Sequence, residues 1–145
     1  MTRNAIESGF PLWHSMLFIP AHREDFVSKA HKRGADAYVL DLEDSVPEGQ
    51  KGEARQAVVN AAETVAQEGA AALVRINQAL RLAVRDLEAC IHPAVQAIVV
   101  PKVVSGAQLQ GLSELIDELE AERGIAAGKI RLIAQIECVH GLSNH

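Results

Sequence analysis

Several apolar segments of this sequence end in side chains that can bind a cation, hold an anion or transfer a proton. These side chains are Asp41, Glu43, Asp44, Arg75, Lys102 and Glu137. Carboxylate oxygens can bind hard metal cations, and a guanidinium binds a carboxylate through two parallel hydrogen bonds. Because an unpaired charge is costly to bury, we expect the carboxylates of "AYVLDLEDSV" at 37–46 to face a cationic partner, either Arg75 or a metal ion.

The apolar segments themselves are predicted to be five strands. They are "SMLFIPA" at 15–21, "AYVLDLE" at 37–43, "ALVRIN" at 72–77, "AIVVPKV" at 97–103 and "IRLIAQIE" at 130–137. Their apolar residues run almost without interruption instead of alternating with polar ones, which is typical of strands covered on both faces. A parallel sheet is therefore expected.

Four segments with apolar residues three and four positions apart separate these strands and are predicted to be amphipathic helices. They cover 23–33, 50–68, 80–91 and 105–124. In the last of them, Ser105 and Gln108 form a capping-box pattern, and Gly124 is placed to end the helix. Strands that alternate with helices of this length predict βαβ units.

Two parallel α/β folds fit this pattern, a doubly wound open sheet and a (β/α)8 barrel. A dinucleotide-binding sheet needs a glycine fingerprint after its first strand, and "PAHRED" at 20–25 has none. Barrel enzymes gather their catalytic groups at the carboxyl ends of different strands, where the charged residues lie here. Since such a barrel has about 250 residues, we expect residues 1–145 to be the N-terminal part of a single barrel domain. They would hold about the first five βα units, with the other three in further sequence or in another polypeptide.

Composition excludes several classes of protein. Hydrophobic residues make up 48% of the 145 residues and charged residues 23%, which are the proportions of a globular domain. The net charge of −5 and the lack of a Lys/Arg cluster disfavour a nucleic-acid partner. Neither a signal peptide nor an apolar run long enough to span a membrane is found, so we expect a cytoplasmic protein. The two cysteines are predicted to be reduced and buried.

Several motifs together resemble one known family. "SMLFIPAHREDFVSKAHKRGADAYVLDLEDSV", "VRIN", "VVPKV" and "LIAQIECVHGL" are similar, in order and spacing, to the citrate lyase β-subunit-like family of the HpcH/HpaI aldolase superfamily. The malyl-CoA and citramalyl-CoA lyases belong to the same group. The resemblance implies a TIM barrel that binds Mg2+ and acts as a carbon–carbon lyase. Its substrate would be a β-hydroxyacyl-CoA, and its products a keto acid and an acyl-CoA.

The resemblance also implies roles for individual residues. By position, Glu137 matches a metal ligand, and Arg75 matches the arginine that contacts the substrate's carboxylate or carbonyl oxygens. Glu43 and Asp44 match an acidic pair that orients this arginine and the metal-bound waters. A Schiff-base role for Lys102 is a less favoured alternative, because it would need a lowered lysine pKa.

The partners follow from the same resemblance. Arg23 and Lys29 align with basic residues near the CoA phosphates, although a solvated helix face is the simpler interpretation of both. A homo-oligomer or a complementing chain is expected. The second metal carboxylate of the family has no counterpart in this sequence. Two alternatives to the lyase therefore stay open: a non-catalytic or partner-dependent barrel subunit, and a CoA-independent keto acid aldolase.

Overall fold

The computed structural model describes residues 11–143, which form an α/β fold around one five-stranded parallel sheet. The strands are β1 (Met16–Pro20), β2 (Ala37–Asp41), β3 (Ala71–Arg75), β4 (Val95–Val100) and β5 (Arg131–Ala134). Each strand pairs in parallel with the next strand along the chain. The predicted parallel sheet of five strands is confirmed.

The order of the strands distinguishes the two candidate architectures. It runs β1-β2-β3-β4-β5 without a reversal, whereas a doubly wound sheet reverses at its switch point. Among the described residues, β1 and β5 are the two edges of the sheet. The described part is thus wound in one direction, as the strands of a barrel are, and leaves the closure of a barrel open.

Helices and 3-10 turns separate the strands, and one further helix follows β5. They are α1 (Glu24–Val27), 3-10 turns at Ala30–Arg33 and Glu48–Gln50, α2 (Lys51–Gln67), α3 (Leu80–Cys90), α4 (Gly106–Glu122) and α5 (Val139–Ser143). The hydroxyl of Ser105 accepts the N–H of Gln108 at 3.4 Å, so the predicted cap of α4 is present. No described helix has both the length and the apolar character needed to cross a membrane.

The prediction of one helix over 23–33 is wrong, because α1 ends at Val27 and a 3-10 turn follows. The buried hydroxyl of Tyr38 donates to the carbonyl of Ala30 and accepts the N–H of Ala35. These bonds hold the carbonyl of Ala30 and the N–H of Ala35, on either side of residues 31–34, to a side chain of β2. Gly34 then adopts a φ of +68°, and this left-handed residue turns the chain toward β2.

The sheet has two buried faces with different coverings. One face packs against the helices in the larger core, which includes Val58 of α2 and Leu87 of α3. The other carries a smaller cluster whose members come from strands β2 to β5 and from Trp13. Side chains of neighbouring strands fill the interior of small barrels in the same way. Of the two free cysteines, Cys90 is buried as predicted, but Cys138 is only half-buried.

The strands end earlier than predicted. Arg75 is the last residue of β3, while β4 ends at Val100 and β5 at Ala134. Lys102 and Glu137 therefore lie in the loops beyond the strands. These loops, with the one that follows β2, form the carboxyl edge of the sheet, where the predicted site residues meet.

Candidate functional site

A buried ion pair between two neighbouring strands is the centre of this edge. Asp41 ends β2, Arg75 ends β3, and the two residues are partners in the parallel register. The Nε and Nη2 atoms of Arg75 each donate to one carboxylate oxygen of Asp41, both at 2.7 Å. The ring of Phe18 lies 4.7 Å from the Arg75 guanidinium carbon. The arginine side chain, which is 10% exposed, is thus held in one orientation.

The loop after β2 wraps around the same carboxylate. Asp41 also accepts the backbone N–H groups of Glu43 and Ser45, both at 2.9 Å. Burial by itself would raise the pKa of Asp41, but the hydrogen bonds from Arg75 and from these N–H groups outweigh it and lower the pKa to about 2. Asp41 therefore carries its negative charge throughout the neutral and mildly acidic range.

This lowered pKa predicts an acid-dependent loss of stability. A carboxyl whose pKa in the folded state lies below its ordinary value of 3.8 stabilises the fold at pH values above 3.8. The contribution is lost as the pH falls from 3.8 toward 2, and it amounts to roughly 2 kcal/mol of the free energy of unfolding. A carbon-detected NMR titration of the Asp41 carboxyl group should give a midpoint near pH 2. A midpoint at the ordinary value would contradict the buried pairing.

Glu43 and Asp44 form a second charged contact, with a lysine from β4's loop. The Nζ atom of Lys102 donates to Glu43 Oε1 at 2.6 Å and to Asp44 Oδ1 at 3.2 Å. Glu43 Oε2 also lies 3.5 Å from the Nε atom of Arg75. Asp41 therefore accepts the two short hydrogen bonds from Arg75. Glu43 adds a longer contact to the arginine, and Asp44 faces the lysine. The hydrogen bond to Glu43 raises the pKa of Lys102, which is opposite to what a Schiff-base lysine needs.

Glu137 lies in the loop after β5 and is exposed. Its Oε1 atom accepts the backbone N–H of Lys102 at 3.1 Å, and its Oε2 atom accepts the side-chain amide of Gln135 at 3.0 Å. Lys102 consequently contacts Glu43 and Asp44 with its side chain and Glu137 with its backbone. The structure brings all six of the strand-end residues singled out from the sequence to one edge of the sheet: Asp41, Glu43, Asp44, Arg75, Lys102 and Glu137.

Arg23, predicted to lie near CoA phosphates, is already paired. Its Nε and Nη2 atoms donate to the two carboxylate oxygens of Asp25, each at 2.9 Å. The guanidinium also lies over the ring of Phe26, 4.7 Å from its centre. Both members of the ion pair are about half exposed. Arg23 thus has the features of a surface ion pair.

Lys29, the other predicted phosphate ligand, lies at a cavity. The cavity has a volume of about 330 Å³ and is also lined by Arg33, which sequence analysis did not single out. Phe18, which stacks on Arg75, forms part of the same wall. The cavity with Lys29 and Arg33 therefore adjoins the Asp41–Arg75 pair through one shared aromatic ring.

A buried network that sequence analysis missed fixes the loop after β3. Asp86 of α3 is fully buried and accepts the backbone N–H and the side-chain amide of Asn77, both at 2.7 Å. Its other oxygen accepts Arg55 Nε of α2 at 2.6 Å, and the Asn77 amide also donates to the carbonyl of Leu42. Asp86 lies three residues after Ala83, on the apolar face of its helix. An acidic residue at such a position is the signal that could have revealed the network.

The edge carries only part of a metal site. Among residues 11–143, no three His, Cys, Asp or Glu side chains converge on one point. Glu137 offers an exposed carboxylate, and the buried side-chain oxygen of Gln135 lacks a hydrogen-bond donor in the described chain. Both are oxygen ligands of the kind that magnesium takes, and magnesium needs few of them because it keeps several waters. The residues present thus fit one side of a magnesium site.

Comparison with known proteins gives one consistent family. Residues 14–145 match the model of the HpcH/HpaI aldolase/citrate lyase family. The citrate lyase β subunit of Leuconostoc mesenteroides subsp. cremoris is 33% identical over 134 residues, which cover 92% of this chain and 44% of that protein. A (3S)-malyl-CoA thioesterase of Cereibacter sphaeroides is 34% identical over 108 residues, covering 74% of this chain and 38% of that protein.

A solved structure agrees with these matches. The protein CitE of Mycobacterium tuberculosis, in complex with magnesium, acetoacetate and coenzyme A, is 33% identical, with a TM-score of 0.64. The match covers 89% of this chain and 41% of that one. The chain thus spans less than half the length of the relatives described here.

Proposed function

The chain belongs to the HpcH/HpaI aldolase/citrate lyase family, and from this premise we propose that it is a Mg2+-dependent carbon–carbon lyase. Its substrate is a β-hydroxyacyl-CoA of the citryl-, malyl- or citramalyl-CoA type. The observation that carries this proposal is the Asp41–Arg75 pair, which fixes a guanidinium at the carboxyl edge of the sheet, next to Glu43 and the cavity with Lys29.

The proposed architecture is a (β/α)8 barrel. Residues 1–145 form the N-terminal part of this single domain, with β1 to β5 as its first five strands. The unreversed strand order and the strand-derived cluster around Trp13 support the barrel. Further sequence, a second copy or a complementing chain supplies the strands that pair with the edges β1 and β5.

Arg75 binds the carboxylate that becomes part of the keto acid. Asp41 occupies the edge of the guanidinium formed by Nε and Nη2. The end formed by Nη1 and Nη2 carries further N–H groups and can hold a second, planar carboxylate through two hydrogen bonds. Because Asp41 and Phe18 already fix the arginine, little side-chain freedom is lost when the substrate binds.

Cleavage of the carbon–carbon bond leaves an electron pair on the acyl-CoA fragment, and the resulting negative charge must be stabilised. The β-hydroxyl gives up its proton, its carbon becomes the keto carbonyl, and the electrons of the broken carbon–carbon bond pass to the thioester as an enolate. The enolate carbon then takes a proton to give the acyl-CoA. Glu137, with the amide oxygen of Gln135, would hold magnesium, which when bound supplies positive charge that stabilises developing negative charge.

The CoA portion of the substrate lies toward β1 in this proposal. Lys29 and Arg33 line the cavity beside Phe18, and both are cations that suit phosphate groups. Arg23 contributes less to phosphate binding, because two of its nitrogen atoms already donate to Asp25. The binding of CoA thus places the acyl group near Arg75.

The experiment is a product analysis with the purified protein. Citryl-, malyl- and citramalyl-CoA are incubated separately with and without MgCl2, and products are separated by liquid chromatography and identified by mass. We expect acetyl-CoA and the matching keto acid from at least one substrate, and no cleavage after EDTA is added. Free CoA thiol with an intact hydroxy acid would identify a thioesterase. Cleavage of a hydroxy-keto acid without CoA would identify the CoA-independent aldolase.

A second candidate is a non-catalytic or partner-dependent subunit. It is favoured by the partial metal site of the described residues. Native mass spectrometry of the same sample separates the two candidates. Lack of cleavage by an assembly that holds a whole barrel would favour the non-catalytic subunit. Cleavage that appears only when a second chain is added would favour the partner-dependent one.

A further inference from the structure

Lys102 adopts a backbone conformation that is unusual for its type. Among the described residues it is the one non-glycine residue with a positive φ, 50°. A side chain in this left-handed region crowds the following carbonyl oxygen, so most residue types avoid it. Strained residues of this kind persist where the surrounding structure fixes them, and they cluster at functional sites.

The conformation turns two successive N–H groups toward β5's loop. The Lys102 N–H donates to Glu137 Oε1 at 3.1 Å, and the N–H of Val103 donates to the carbonyl of Gln135 at 3.2 Å. Gly141 packs against the carbonyl of Val103 so closely that a Cβ atom there would lie 2.2 Å from the oxygen. The loop after β4 is therefore clamped onto the segment that carries Glu137.

The side chain of the same residue extends in the other direction. From β4's loop it passes the end of β3 and reaches the loop after β2, where Nζ contacts Glu43 and Asp44. Glu43 is nearly buried and also contacts Arg75. The ammonium neutralises part of the acidic charge at this point, and it holds Glu43 beside the arginine.

We propose that Lys102 is a positioning residue for the lyase site: its backbone N–H orients the Glu137 carboxylate, and its ammonium keeps Glu43 and Asp44 turned away from the metal. This inference rests on the proposed function. Without the ammonium, the negative charge of the two carboxylates is no longer neutralised and attracts cations. Magnesium should then bind more tightly but less productively, because the acidic pair competes with Glu137 for the ion.

The test compares three variants with the wild-type protein by isothermal titration with MgCl2 and by steady-state kinetics. Lys102→Met removes the ammonium and keeps the backbone N–H. Lys102→Gly also removes the ammonium, but glycine adopts the positive φ without strain. This variant therefore controls for a disturbance of the backbone. We expect both variants to bind Mg2+ about threefold or more tightly, and to lose about tenfold in kcat with little change in KM for the acyl-CoA. Lys102→Arg keeps a positive charge at this position, so its Mg2+ affinity and its kcat should stay close to those of the wild-type protein.

The outcomes separate this inference from the proposed function. Unchanged or weaker Mg2+ binding in both Lys102→Met and Lys102→Gly, with wild-type cleavage intact, overturns the role of Lys102 alone. Tighter Mg2+ binding in both variants, with lower kcat and rescue by arginine, supports it. A wild-type protein that binds no Mg2+ overturns both proposals.

Discussion

Arg75→Lys is expected to lower kcat/KM for acyl-CoA cleavage by about 100-fold. Lysine keeps the positive charge, but its ammonium cannot hold Asp41 through two parallel hydrogen bonds and still present two more to a carboxylate. The loss should fall on kcat and on the affinity for the free keto acid, because both depend on the orientation of that carboxylate. Steady-state kinetics and keto acid inhibition constants measure the two effects.

Arg23→Lys is the matched control for this variant. Arg23 also donates from Nε and Nη2 to one carboxylate and also lies 4.7 Å from an aromatic ring. It differs from Arg75 because it is about half exposed and lies outside the group of charged residues at the carboxyl edge of the sheet. We expect its effect on kcat to stay within about twofold, as for exposed ion pairs. An Arg75→Lys variant as active as the Arg23→Lys control would reduce Arg75 to a structural role.

Glu137→Gln should remove most magnesium-dependent turnover, by about 100-fold or more at a fixed MgCl2 concentration. Glutamine has nearly the same shape and can still accept the N–H of Lys102, so the loop should keep its conformation. It lacks the negative charge that a hard cation prefers. Turnover measured over a range of MgCl2 concentrations should show a higher half-saturating concentration, with partial recovery of rate at high magnesium.

The control for this second variant is Glu118→Gln, an exposed glutamate on α4. The substitution removes the same charge far from the carboxyl edge, and its magnesium dependence should match that of the wild-type protein. Equal magnesium dependence in Glu137→Gln and Glu118→Gln would exclude Glu137 as a ligand. It would leave the proposed metal at another group of the intact barrel.

The five strands were predictable because their apolar runs are nearly continuous. Residues such as Val39 and Leu40 lie on opposite faces of β2 and are both buried, so hydrophobicity alone identifies the segment. The break in the helix predicted over 23–33 was not predictable in this way. The hydroxyl of Tyr38, which donates to the carbonyl of Ala30 just after the break, lies eight residues further along the chain and meets Ala30 only in the folded protein.

The site was predictable as a set of residue types but not as a set of contacts. From the sequence, the carboxylates of 37–46 were expected to pair with Arg75, and the family resemblance implied that Glu43 and Asp44 orient the arginine. The register of β2 with β3 decides the pairing, because it aligns Arg75 with Asp41, which is 34 residues away. The contacts of Lys102 with Glu43 and Asp44 span 59 and 58 residues of sequence, and no local pattern indicates them.

If Arg75 and the proposed magnesium ligand Glu137 belong to one site, the binding of a keto acid and the binding of magnesium should be linked. Isothermal titration would measure the affinity of the purified protein for oxaloacetate, glyoxylate and pyruvate, with saturating MgCl2 and with EDTA. We expect at least one keto acid to bind about tenfold or more tightly with magnesium, a coupling of the usual size for linked sites. Keto acid affinity that is the same with and without magnesium would show that Arg75 and Glu137 do not form one site.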